Sequence, residues 1–295
     1  MDTIVLVAGS ANLDFVVRAA HVPAPGETVL GRDFATFPGG KGANQAVACA
    51  KAGGAGTRML LALGDDDFAR PLERSLREAG VELRIVRSAK PTGAAFICVA
   101  DSAENAITVA PGANATLAPE HLPSLEGVGW LLLQLETPLA SVAAYAMRAR
   151  AAGVRVALNA APARALPDEL LDALDLLVVN EGELLAIAGG EDGIREKLSR
   201  LRVPSVVVTL GSRGCLAKHE GGFLEQPAFP VDAVDTTAAG DTFCGTLVAA
   251  LNRAASMADA LREASAAAAL ACTRLGAQAS IPARDEVEAF LRERV

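Results

Sequence analysis

Six short apolar runs, each with a polar or small residue at or next to its end, constrain this chain more than any other feature. They are IVLVAG (4–9), RMLLALG (58–64), WLLLQL (130–135), VRVALN (154–159), DLLVVN (175–180) and SVVVTLG (205–211). Each has the length of a strand and none alternates cleanly, so both faces of each strand must be covered. Between the runs lie helical spacings: Phe68, Leu72, Leu76 and Ala79 before Gly80, and Leu139, Val142, Ala143 and Ala146 before Gly153. Strands buried on both faces and alternating with amphipathic helices imply an α/β fold, a three-layer α/β/α sandwich around a mainly parallel sheet.

Two segments break this rhythm. LDFVVRAAHVPAPGETVLGRDFATF (13–37) and TGAAFICVADSAENAITVAPG (92–112) read as hairpin material with no helix between the strands, the second turning at Asp101 to Asn105. They predict a small β lid inserted into a core made of 1–12, 38–91 and 113–295. No linker, internal repeat or low-complexity tail separates independent domains.

Composition excludes several classes. Half the chain is hydrophobic (51%), so a large core forms and disorder is not expected. A net charge of −8 leaves no basic stripe for nucleic acid. Five cysteines (Cys49, Cys98, Cys215, Cys244, Cys272) are widely spaced without C-x-x-C, which suits reduced thiols in a cytoplasm. MDTIVLVAGS lacks the basic start of a signal peptide, and ASAAAALACTRLG (264–276) is too short to cross a membrane. His21, His121 and His219 form no ligand set.

In open α/β sheets, ligands bind beyond the carboxyl ends of the strands. The polar residues there are Asn12, Asp14, Glu136, Asn159, Asn180 and the turn TLGSRG (209–214). The loop PGGKGANQA (38–46) adds three glycines around Lys41, with a helix expected from about Ala43. It is no Walker A loop, since Ala35 stands where the first glycine is required and Gly42 replaces Ser or Thr. On its own it reads equally as a tight turn into a helix. GDDD (64–67) reads as an acidic helix start, although a divalent-ion site has the same composition.

VDTTAAGDTF (234–243) is more telling. Phe243, Leu247, Ala250 and Leu251 lie on one helical face, so the small residues sit at a helix N-terminus, an anion site. Asp241 beside a bound phosphate is repulsive unless it takes a proton from an attacking hydroxyl. The pair points to phosphoryl transfer to an alcohol.

The chain resembles the PfkB-type carbohydrate kinases of the ribokinase group over nearly its whole length. GGKGANQA, LLLQLETP, the N-x-x-E of Asn180 to Glu183, TLGSRG, DTTAAGDTF and LGAQASIP carry the resemblance, in that order. It implies ATP-dependent phosphorylation of the terminal hydroxyl of ribose, with Asp241 as the base. Backbone N–H groups of Ala238, Ala239 and Gly240 would form the anion hole. Asn12, Asp14, Gly40, Lys41, Asn44 and Glu136 would hold the sugar. Asn180 and Glu183 would serve the phosphates and Mg²⁺, and Thr209, Gly211, Ser212 and Gly214 the nucleotide. A K⁺ site would use Asp235, Thr237, Ala271, Arg274, Gly276 and Ser280. The lid would pair two subunits into a homodimer. Ala69 and Ala103 stand where the family pattern has glycine, which bears on the choice of sugar. The alternatives are a kinase of this family for another pentose, a deoxy sugar or a nucleoside, and a non-catalytic sugar-binding protein.

Overall fold

The structure is a computed structural model and describes residues 3–102 and 104–294. Ala103 therefore lies outside the described residues. The chain opens with β1 (Ile4–Ala8), leaves the core for β2 (Asn12–Ala19) and β3 (Asp33–Gly39), and returns through α1 (Lys41–Ala50). Next come β4 (Thr57–Gly64), α2 (Ala69–Glu78), β5 (Glu82–Ser88), then β6 (Gly93–Ala100) and β7 (Asn105–Ala110). The second half runs β8 (Val128–Leu133), α3 (Leu139–Ala151), β9 (Arg155–Asn159), α4 (Asp168–Asp172), β10 (Leu176–Asn180), α5 (Glu181–Ala188) and α6 (Ile194–Arg200). It closes with β11 (Ser205–Thr209), β12 (Cys215–His219), β13 (Gly222–Gln226), α7 (Ala239–Asn252), α8 (Met257–Cys272) and α9 (Arg284–Arg292).

Nine strands form one sheet in the order β13-β12-β11-β10-β9-β8-β1-β4-β5, parallel except at β12 and β13. All six apolar runs are strands of it, and its two faces carry separate cores. Val5, Val7, Met59 and Leu61 face one side, and Leu6, Leu60, Leu131 and Leu133 the other, all at most 1% exposed. At roughly 1.5–3 kcal/mol for each large side chain buried, this double burial is the main cohesive term. The expected α/β/α sandwich is what forms.

The remaining strands make a separate four-stranded sheet, β3-β2-β6-β7, from the two segments that broke the rhythm. Asp66 stands at its base. Its carboxylate accepts from the Ala69 N–H at the start of α2 (3.1 Å) and from the Thr92 N–H just before β6 (2.7 Å). The GDDD segment thus serves a helix start, as read, and also anchors the lid. Ala69 is buried in the first turn of α2.

Two features differ from the sequence reading. The helix after the glycine loop starts at Lys41 rather than near Ala43, with Gly40 in the left-handed region at φ +89° supplying the turn. The antiparallel hairpin of β12 and β13 extends the sheet beyond β11; its turn, Glu220–Gly221, has both residues at positive φ. Among the described residues no helix is long and apolar enough to cross a membrane.

One contact positions the site. Gly245 on α7 lies so close to α1 that an added Cβ would sit 2.5 Å from the Gln45 carbonyl oxygen and 2.6 Å from the Ala48 Cβ. A glycine there lets the two helices approach backbone to backbone, which brings the first turn of α1 against the first turn of α7.

Candidate active site

The N-terminus of α7 is built as the sequence required. Ala238, its N-cap, is left-handed at φ 58° and ψ 9°, a conformation that turns the chain sharply into the helix. An added Cβ on Gly240 would meet nothing within 4 Å, so this backbone faces open space. Among the described residues the N–H groups of Ala238, Gly240 and Asp241 donate to no backbone or side-chain acceptor. That of Ala239 is engaged with the Thr236 carbonyl (3.2 Å). Of the three donors expected to form an anion hole, two are therefore free and one closes the turn that shapes it.

Asp241 is buried, at 7% exposure, in the first turn of α7. Asn44 Nδ2 donates to its Oδ2 (3.0 Å), and Gln45 Nε2 donates to its Oδ1 (2.8 Å). Asn44 Oδ1 is buried without a partner, an acceptor suited to a ligand hydroxyl. Lys41 lines the same cavity of about 250 Å³ with Asp241, Gly240, Asn180, Glu183 and Thr209. The negative charges of Asp241, Glu136 and Glu183 hold its ammonium pKa above the usual lysine value, Asp241 most strongly and despite burial. A cation, unpaired N–H groups and a buried carboxylate thus line one small space.

The sugar-side residues gather around the glycine loop. Ser10 Oγ donates to Glu136 Oε2 (2.5 Å), the Lys41 N–H donates to the same oxygen (3.1 Å), and the Gly42 N–H donates to Ser10 Oγ (3.3 Å). Glu136 is thereby held at the N-terminus of α1. An added Cβ at Gly39 would fall 2.1 Å from Asp14 Oδ2, at Gly40 2.7 Å from the Asn12 nitrogen, and at Gly42 2.6 Å from the Ser10 nitrogen. The glycines admit β2 and the link that joins it to β1, which places Asp14 and Asn12 beside the loop. Asn114 completes this corner, exchanging hydrogen bonds with both backbone groups of Ala11 and donating to Asn12 Oδ1 (2.8 Å). Asp14, 9% exposed, has its pKa pushed up to about 7, first by burial and then by the charges of Glu136 and Asp241.

Asn180 and Glu183 form a reciprocal capping box on α5. The Glu183 N–H donates to Asn180 Oδ1 and the Asn180 N–H to Glu183 Oε2, both at 2.8 Å. Each keeps its second polar atom for the cavity, and burial raises the pKa of Glu183. Thr209 ends β11 at the cavity wall. Gly211 and Gly214 are both left-handed, at φ +59° and +94°, and Ser212 lies in the one-turn segment between them. Gly214 packs on the Gln226 carbonyl, a structural demand in its own right.

The Asp235 carboxylate accepts from the Thr237 N–H (2.9 Å) and, across 41 residues, from the Gly276 N–H (2.9 Å). The Val234 and Asp235 N–H groups both donate to the Cys272 carbonyl. The segment before α7 is thus tied to the segment after α8, and Asp235, Thr237 and Gly276 are brought together. The carbonyl of Ala271 accepts from the Arg274 N–H, the Arg274 guanidinium pairs with Glu286, and the Ser280 hydroxyl donates to the Ala277 carbonyl. A cleft of about 690 Å³ separates this region from the small sheet, with Asp14, Arg18, Phe37 and Ile107 opposite Asp235 and Leu275.

Ser10, Gln45 and Asn114 carry little local sequence signal of a site, and Asn159 shows there only as a strand end, although it lines the cavity. The histidines lie elsewhere: His21 pairs with Glu27, His121 accepts from the Ala118 N–H and His219 bonds Ser205.

Four known matches bear on this site. The family model described as pfkB family carbohydrate kinase matches residues 2–284. A ribokinase of Haemophilus influenzae is 39% identical over 300 residues, spanning 97% of both chains. Among solved structures, ribokinase from Thermotoga maritima superposes with a TM-score of 0.93 at 39% identity, covering 98% of this chain and 99% of the other. Arabidopsis thaliana ribokinase complexed with ribose and ATP gives a TM-score of 0.89 at 32% identity, covering 99% of each.

Proposed function

Because the chain belongs to the pfkB family of carbohydrate kinases, we propose that it transfers the γ-phosphoryl group of ATP to the terminal, 5-hydroxyl of D-ribose. The products are D-ribose 5-phosphate and ADP. The observation that carries this reading is the buried Asp241 carboxylate in the same helical turn as the free Gly240 N–H and facing Lys41. Asp241 takes the proton of the attacking hydroxyl as the O–P bond forms. Ala238 and Gly240 N–H groups stabilise charge on the transferring group, and Lys41 adds a cation at the same point. Binding by N–H groups alone would have no use for the carboxylate, which is why a non-catalytic sugar-binding role fits less well.

Ribose is held by Asp14, Glu136, Asn12, Asn44 and the backbone at Gly40. These groups supply several acceptors and amide donors around a ring of hydroxyls, and the orphaned Asn44 Oδ1 is one of them. ADP release measured over ribose, 2-deoxyribose, other pentoses and nucleosides tests the assignment. Ribose should give the highest kcat/KM, and a nucleoside exceeding it would overturn the choice of sugar.

Mg²⁺ fits at Glu183, whose second carboxylate oxygen is left free by the capping box and suits a hydrated ion bound mainly through phosphates, while the Asn180 Nδ2 left over is a donor for a phosphate oxygen. When bound, the ion offsets phosphate charge. Thr209, Gly211, Ser212 and Gly214 border the nucleotide.

A monovalent cation fits between Asp235, the carbonyls of Thr237, Ala271, Arg274 and Gly276, and Ser280. One carboxylate among neutral oxygens suits a large, weakly hydrated ion better than Mg²⁺. Its effect is to stiffen residues 235–241, so that the N–H groups of the following turn are preorganised. K⁺ should raise kcat, Na⁺ less so, and Asp235→Ala should abolish the difference. Equal rates in K⁺ and tetramethylammonium would exclude the site.

The small sheet suits a homodimer contact. Its outward Phe34 and Phe96 are 66% and 54% exposed and stack on Phe15. Sedimentation at micromolar concentration showing only monomers would remove that proposal. Five free cysteines are consistent with a reducing, cytoplasmic setting.

A further inference from the structure

Gln45 is fully buried, and every polar atom of its amide is engaged. Its Nε2 donates to Asp241 Oδ1 (2.8 Å) and to Asn159 Oδ1 (3.0 Å), while its Oε1 accepts from Gln134 Nε2 (2.7 Å). This network fixes the amide orientation. Turned over, Gln45 would set an oxygen against two acceptors and a nitrogen against the Gln134 donor. Asn159 is oriented in turn, since its Nδ2 donates to the Val178 carbonyl (3.3 Å). The chain of amides therefore starts from the ends of β8 and β9, the rigid centre of the sheet, and finishes on the carboxylate of α7.

The two donors to Asp241 are not equivalent. Asn44 has a second polar atom without a protein partner, in keeping with a group that meets ligand. Gln45 has none to spare, its amide nitrogen and oxygen both being engaged within the protein. Its Nε2 acts on two groups, Asp241 and the cavity-lining Asn159, and of these Asp241 is the one that carries the charge. A carboxylate free to turn about its side-chain torsions loses alignment, and misplacement by about 1 Å is enough to cost on the order of 10²-fold in rate.

We propose that Gln45 is a positioning residue for phosphoryl transfer, locking the Asp241 carboxylate to the sheet through the buried chain Gln134–Gln45–Asp241. The proposal rests on Asp241 being the base. It predicts that Gln45 matters to turnover and not to substrate binding, a separation that a merely structural residue would not give.

The test uses Gln45→Met, which keeps length and volume but removes the donor, in the full-length enzyme. Thermal unfolding is followed in parallel. The kcat should fall about 10- to 100-fold, with KM for ribose and ATP within about twofold of the parent. Introduced into Asp241→Asn, the same change should cost less than about threefold, because the group it positions is already gone. An equal loss in both backgrounds, or a change confined to KM, overturns the proposal. Full kcat in Asp241→Asn alone overturns the base assignment instead, so the two failures are distinguishable. Should Gln45→Met not fold, Gln45→Glu keeps the shape and the Gln134 contact while setting an acceptor against Asp241. A kcat near the parent value in that variant also overturns the proposal.

Discussion

Asp241→Asn should lower kcat by about 10²- to 10⁴-fold, the usual range for loss of a general base. The variant should still fold, and KM for ATP should stay close to that of the parent. Asparagine fills the same volume and leaves the helix-start polarity largely intact. It carries no basic oxygen for the hydroxyl proton, and its NH₂ must face one of two donors. Asn44 Nδ2 and Gln45 Nε2 both point at the carboxylate, so an amide satisfies one and opposes the other. One buried hydrogen bond is therefore lost, costing roughly 1–3 kcal/mol of stability, a small fall in melting temperature beside a large fall in rate. A purified variant with near-parent kcat would return Asp241 to a helix-capping role and leave the base to another group.

The fold was legible because burial on both faces is written directly into composition. A strand such as DLLVVN needs no partner to announce itself, and the helices between strands carry their spacing in a few residues. The hairpin of β12 and β13 was harder to see, for CLAKH and GFLEQ are only five residues each and both end on polar residues, with β13 at the sheet edge. Strand β5, ELRIVRS, is an edge strand whose alternation with arginines hides it in a charged stretch.

The candidate site was legible only where local sequence produces the chemistry. Asp241 and its small neighbours declare a helix N-terminus within ten residues. Ser10, Gln45 and Asn114 act through partners 126, 196 and 103 residues away, a distance no local pattern spans. Gln45 did carry a faint signal, an amide inside a run of alanines on a buried helix. A polar side chain there is costly unless it is bonded, and that alone is a reason to ask what it holds. The glycine loop shows the limit differently. In sequence its three glycines read as freedom for a tight turn and close backbone approach, and the structure shows what approaches: Gly39, Gly40 and Gly42 make room for Asp14, Asn12 and Ser10.

Asp14 should show the largest effect on sugar binding. In Asp14→Asn, KM for ribose should rise about 10²-fold or more, with KM for ATP within about twofold. A site built to accept from a hydroxyl is penalised when its acceptor becomes an amide, because a buried group is then left unpaired. The pH dependence carries a second signature. With its pKa near 7, raised first by burial and then by Glu136 and Asp241, Asp14 ionises only around neutrality in the free enzyme. The kcat/KM for ribose should therefore rise with pH through about 7, and that limb should vanish in the variant. Stability must move the opposite way. Between the ordinary value of 3.8 and about 7 the folded chain holds a proton that the unfolded chain has released, so stability falls as pH rises through this window. Asparagine does not ionise and escapes that loss. Asp14→Asn should accordingly unfold at a higher temperature than the parent at pH 8, with the gap shrinking towards pH 4. At ~1.4 kcal/mol per pH unit, the ceiling on the gap is about 4 kcal/mol. A variant that binds ribose poorly but is no more stable at pH 8 would mean that the Asp14 carboxylate is solvated in the folded state. A variant with unchanged ribose KM would take Asp14 out of the pocket altogether.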